Sequence, residues 1–106
     1  MFKLVVEVLD VKGKCAVGYK PGDYFVFNSF YIEPTKAKIC LHALSAMQNI
    51  LYAIAHGISP KALGVGDENT AYVQCPDPGK PFTDGGTVLF RIRRCDNDSN
   101  RQASNR

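Results

Sequence analysis

From Phe2 to Val11 hydrophobic and polar positions alternate, with Phe2, Leu4, Val6 and Val8 on one side and Lys3, Val5, Glu7 and Leu9 on the other. A period of two is that of a strand, and Val5 and Leu9 on the second side predict that this face is also partly apolar. Tyr24 to Phe27 and Phe30 to Ile32 are aromatic and β-like, with Asn28-Ser29 reading as a turn or bulge between them. The period then changes to 3.6 residues. Between Lys38 and Gly57, Cys40, Ala43, Leu44, Met47, Ile50, Leu51 and Ile54 share one face of a helical wheel, and Lys38, His42, Ser45, Asn49, Tyr52 and His56 share the other. This predicts one long helix over about 38–56, with Thr35 as its N-cap and Gly57 as its stop.

Beyond the helix, Ser59-Pro60 followed by Gly64 combines an N-cap, a proline at the first helical position and a terminating glycine, which predicts one short helical turn. Thr70 to Cys75 and Thr87 to Arg94 read as two further strands, the latter with Val88, Phe90 and Ile92 inward and Leu89, Arg91 and Arg93 outward. Two loops punctuate the pattern. Lys12 to Asp23 contains Gly13, Gly18 and Pro21-Gly22, and Pro76 to Gly86 is stiffened by Pro76, Pro78 and Pro81. Strands, a helix and strands again predict an α+β domain over 1–95, an antiparallel or mixed sheet of four to five strands packed on the long helix. The last eleven residues, 96–106, hold no apolar side chain larger than alanine, so a disordered tail is expected there.

Composition narrows the classes. At 106 residues the chain has room for one core. No run approaches the roughly 18 apolar residues of a membrane span. The N-terminal apolar stretch is interrupted by Lys3, Glu7 and Asp10, which reads as a strand and not a signal peptide, and a cytoplasmic location is expected. The net charge of +3 gathers at Arg91, Arg93 and Arg94. No aromatic residues are interleaved with these arginines, which argues against a nucleic-acid surface. The four cysteines form no CxxC pair, which excludes the local signatures of zinc ribbons and thioredoxin-like centres.

The residues Gly13-Lys14-Cys15, Gly18, Pro21-Gly22-Asp23, Cys40, Gly57, Cys75 and Gly86 resemble an uncharacterised family of small cysteine-containing prokaryotic proteins. Its members, of about this length, occur in single or repeated copies, commonly in archaea and anaerobic bacteria. The resemblance spans Lys3 to Arg94 and implies a compact cysteine-containing domain without implying a reaction. One departure is that Leu41 and His42 follow Cys40 where a tryptophan is usual, and the chain contains no Trp.

Cys15, Cys40 and Cys75 all fall at ends of expected elements, where a fold can bring distant segments together. Three converging thiolates would suit zinc, copper(I) or an iron–sulfur centre, and a thiol near a helix N-terminus has its thiolate favoured by free N–H groups. The competing expectation is three buried inert thiols. Within a helix, Cys40 and His42 diverge by about 200°, so they can act together only if Cys40 lies at or before the N-cap. His56 is expected to meet the helix C-terminal carbonyls. Asp77 and Asp84 are candidate acids or bases, against the expectation that turn aspartates bond their own backbone. The polar ridge of the helix carries few charges, which predicts a second packed partner and hence self-association that covers this side of the helix or the apolar second face of the sheet. The leading expectation is a small oligomeric binding or accessory domain holding a metal or small ligand near Cys15, Cys40 and Cys75. The alternative is a thiol-dependent enzyme with Cys40 as nucleophile, assisted by His42 or Asp77.

Overall fold

The structure, a computed structural model, describes residues 1–95; the polar tail lies outside the described residues. The elements run β1 (Lys3–Gly13), β2 (Tyr24–Asn28), β3 (Tyr31–Ile32), α1 (Leu41–Ala55), β4 (Thr70–Gln74) and β5 (Gly86–Cys95). All five strands join one antiparallel sheet in the order β3-β2-β1-β5-β4. The chain is α+β as expected, but the sheet is the larger layer and the helix has only 15 residues.

Alternation explains the sheet. Leu4, Val6 and Val8 of β1, Phe25 and Phe27 of β2, Ala71 of β4 and Val88, Phe90 and Ile92 of β5 are buried together under the helix. Helix α1 lies against the central strands β1 and β5 and contributes Ala43, Met47, Leu51, Ile54 and Ala55. Full burial of one such Leu, Ile, Val, Phe or Met side chain contributes about 1.5–3 kcal/mol, so this shared layer dominates the fold. Among the described residues no helix covers the other sheet face. Its central row, read from the registers, is Tyr24, Glu7, Arg91 and Tyr72.

The helix begins later than its periodicity predicts. Lys38 and Ile39 stay out of it, and Cys40 is the N-cap with extended φ −73° and ψ 118°. The Tyr19 hydroxyl accounts for this start. It donates to the Lys38 carbonyl oxygen at 2.7 Å and accepts the Cys40 N–H at 2.9 Å, so Lys38 and Cys40 are tied to a loop before helical bonding begins. Thr35, the expected N-cap, instead accepts the Ala37 N–H at 3.2 Å in a local turn. At the other end Gly57, with φ +103°, stops the helix as predicted. The turn at Ser59 also forms, with Ser59 Oγ accepting the Ala62 N–H at 3.0 Å and Gly64 at φ +79°.

Arg94 lies on the opposite side of β5 from Arg91 and Arg93. It follows Ile92 on the core side of β5 and reaches the helix C-terminus, donating to the carbonyls of Ile58 at 2.7 Å and Ile54 at 3.3 Å. Its guanidinium sits 4.4 Å from the centre of the Phe2 ring. Arg91 and Arg93 do face the uncovered side, where Arg91 bonds Glu7 at 2.6 Å.

Candidate functional site

The C-terminal end of β1, the N-terminal end of β5 and the C-terminal end of β4 meet beside the start of α1. A cavity of about 90 Å³ opens there. It is lined by Cys15, Cys40 and Cys75 together with His42, Asp77 and Tyr19, and floored by Val88 and Phe90. The structure thus gathers around one space every cysteine, histidine and aspartate singled out for chemistry except Asp84. Asp84 is engaged elsewhere, 2.8 Å from Lys80 Nζ on the exposed loop.

Close backbone approach builds the site. A Cβ at Gly86 would lie 2.6 Å from the Lys12 carbonyl oxygen, 2.7 Å from Lys14 N and 2.9 Å from Cys15 N. Only glycine lets β5 begin against the loop that carries Cys15. Gly85 is packed as tightly, because a Cβ there would collide with the Asp77 carboxylate.

The cysteines differ in their surroundings. Cys75 is buried, and its Sγ donates to the Gly86 carbonyl at 3.7 Å and accepts the Val88 N–H at 3.4 Å. It is committed to the end of the β4–β5 ladder. Cys15 and Cys40 are half-buried, and among the described residues neither thiol has a hydrogen-bond partner. Cys95 lies outside the cavity at the end of β5. All four cysteines are free.

Expected metal coordination is not supported by this arrangement. The three cysteines line one cavity, yet among the described residues no three His, Cys, Asp or Glu side chains are grouped to hold an ion. The Cys75 thiol, bonded to the β5 backbone, is one physical reason.

His42 is exposed at the second position of α1. Because Cys40 is the N-cap with extended backbone, the angular divergence of two positions inside a helix does not separate the pair. Asp77 faces the same cavity from the loop after β4. Its Oδ1 accepts the Thr83 hydroxyl and the Gly79 N–H, the latter at 2.9 Å, so the turn bonding expected of Asp77 is present. The Thr83 bond, then the Gly79 bond, hold its carboxyl below the usual value, and the His42 charge acts in the same direction. Asp77 is therefore a fixed anion near His42.

Tyr19 was not singled out by the sequence pattern. It is 7% exposed, meets Phe90 edge-on at 5.8 Å, and its burial pushes the phenol pKa up. The available signal was a lone aromatic in a glycine-rich loop, a common way to anchor such a loop. Tyr19 also borders a second, larger cleft of about 700 Å³ between the 17–26 and 33–38 segments, whose lining includes Lys20, Lys36, Lys38, Asp23 and Glu33.

The polar ridge of α1 is exposed along its length, at His42, Ser45, Asn49, Tyr52 and His56. Part of the packing expected there comes from the chain itself: Phe30, at the β2–β3 hairpin tip, lies against the rings of Tyr52 and His56 at 6.0 and 5.9 Å. His56 Nδ1 is 2.8 Å from the Tyr52 carbonyl oxygen, the C-terminal role expected of it.

No protein-family model, curated protein or solved structure matches the chain. No helix among the described residues is long and apolar enough to cross a membrane.

Proposed function

We propose that this is a thiol-dependent protein in which Cys40 attacks a small electrophile, His42 takes up the thiol proton, and the fixed Asp77 carboxylate stabilises the imidazolium that results. The observation that carries this reading is the shared lining of one cavity by Cys40, His42 and Asp77. A nucleophile, a base and an anion that steadies the base are what covalent catalysis at sulfur requires. A space of about 90 Å³ is roughly three water volumes and limits the reactive part of a substrate to a few heavy atoms. Two alkylating probes of different size test this. Iodoacetamide labels Cys40 first among the four cysteines, whereas a bulky aryl maleimide loses that preference; equal labelling of Cys40 and Cys95 by both contradicts it.

The reading includes self-association through the uncovered sheet face and a reducing, cytoplasmic setting. Support for the self-association comes from the exposed Tyr24 and Tyr72 that flank the Glu7–Arg91 pair on that face. A dimer mass in sedimentation equilibrium that Tyr72→Asp lowers to the monomer supports it. A monomer at all concentrations contradicts it.

A further inference from the structure

We propose that Cys15 and Cys40 are a dithiol pair that reduces a small hydroperoxide, closing to a Cys15–Cys40 disulfide across the cavity; this rests on Cys40 being the nucleophile.

Three observations select this pair from the four thiols. Cys75 Sγ is hydrogen-bonded on both sides to the β5 backbone, and Cys95 is not in the cavity. Cys15 and Cys40 line the cavity with unengaged thiols. Both are also linked to the segment at Tyr19, Cys15 through a backbone turn that precedes it and Cys40 through its hydroxyl. The Gly18 N–H donates to the Cys15 carbonyl at 3.0 Å, closing the turn that delivers Tyr19, and the Tyr19 hydroxyl accepts the Cys40 N–H.

Neither cysteine sits inside regular structure. Cys15 is in a loop between the exposed Lys14 and Ala16, and Cys40 has extended N-cap backbone. Both can therefore adjust to the narrow geometry a disulfide demands more readily than residues locked in a helix or ladder. Cavity size selects the oxidant, since hydrogen peroxide or a short alkyl hydroperoxide fits a space of about 90 Å³ and a bulky peroxide does not.

The chemistry balances. The Cys40 thiolate attacks one peroxide oxygen, an S–O bond forms as the O–O bond breaks, and the leaving oxygen takes a proton from His42 to depart as water or an alcohol. The Cys15 thiol then attacks the Cys40 sulfenic acid, forming the S–S bond and releasing water. Two thiols and one hydroperoxide give one disulfide, one alcohol or water, and one water. The peroxide is reduced by the two electrons the thiols lose.

Peptide mapping of the intact reduced protein after one equivalent of hydrogen peroxide tests the pair without relying on a variant. The expected product is a Cys15–Cys40 linked peptide, with Cys75 and Cys95 still reduced. In Cys15→Ser, dimedone should trap Cys40 as the sulfenic acid. Over-oxidation of Cys40 in the unaltered chain, or a disulfide to Cys75 or Cys95, overturns the pair while leaving Cys40 as nucleophile. If iodoacetamide labels Cys40 but peroxide leaves it untouched, the peroxide assignment fails; if neither reagent prefers Cys40, the underlying reading fails with it.

Discussion

The Tyr19 hydroxyl accepts the Cys40 backbone N–H at 2.9 Å and donates to the Lys38 carbonyl at 2.7 Å, so a loop residue determines where the helix starts and on which side of that start Cys40 falls. Without this bridge the apolar wheel would carry the helix back through Cys40, and Cys40 and His42 would point apart.

Tyr19→Phe should therefore do more than lower stability. Loss of the hydroxyl leaves a part-buried N–H and carbonyl unpaired, an expected cost of about 1–3 kcal/mol in urea unfolding. Hydrogen exchange should quicken at Cys40, and selective alkylation of Cys40 should weaken. An unchanged exchange rate there would remove Tyr19 from the account.

Gly86→Ala and Gly22→Ala separate close approach from backbone conformation. A Cβ at Gly86 meets three backbone atoms of 12–15, so overpacking of about 1–3 kcal/mol is expected, together with faster labelling of a displaced Cys15. Gly22 has φ +98° and open space around it, so its substitution should cost about 1–2 kcal/mol of backbone strain and leave Cys15 labelling unchanged.

Arg94 and Arg93 are neighbours in sequence with opposite expected consequences. Arg94→Ala removes hydrogen bonds to the carbonyls of Ile54, in the last turn of the helix, and Ile58, just beyond it, together with the contact with Phe2, and should destabilise by about 1.5–3 kcal/mol. Arg93 lies 3.7 Å from Glu7 with its side chain 48% exposed, and Arg93→Ala should change stability by about 0–1 kcal/mol. Chemical denaturation of both variants checks the contrast.

Acid should destabilise the fold through carboxyls whose folded values are lowered. Asp77 is held down by Thr83 and Gly79, Asp67 by the N–H groups of Asn69 and Thr70, and Glu7 by Arg91. As pH falls, the unfolded chain binds these protons before the folded one does. The stability they contribute is complete above the ordinary carboxyl values of about 4 and is lost as pH passes down through the lower folded values. Thermal midpoints measured across this range should fall, and Asp77→Asn should flatten part of the decline.

Much of the fold is legible in the chain because periodicity reports burial. The inward residues of β1 and β5, the buried stripe of α1, the Ser59 turn and the Gly57 stop follow from local pattern. What does not follow is set by contacts distant in sequence. The start of α1 depends on Tyr19, Arg94 leaves the solvent for a helix terminus, and β1 carries an irregularity between Val8 and Asp10 that no residue there announces. That Cys15, Cys40 and Cys75 line one cavity accords with their places at element ends, and His42 and Asp77 line it as close sequence neighbours of Cys40 and Cys75. Their division of labour was not legible. Cys75 is committed to backbone hydrogen bonds that appear only once β5 pairs with β4.

The most direct test of the central claim is the pH dependence of Cys40 alkylation by iodoacetamide in the unaltered protein, His42→Ala and Asp77→Asn, with folding verified by circular dichroism. If His42 and Asp77 act on Cys40, the unaltered protein modifies Cys40 faster than either variant. His42→Ala then slows it by roughly tenfold or more, within the lower reach of general-base assistance, and Asp77→Asn shifts the profile in the same direction to a smaller extent. Superimposable profiles for the three proteins would contradict a Cys40–His42–Asp77 site.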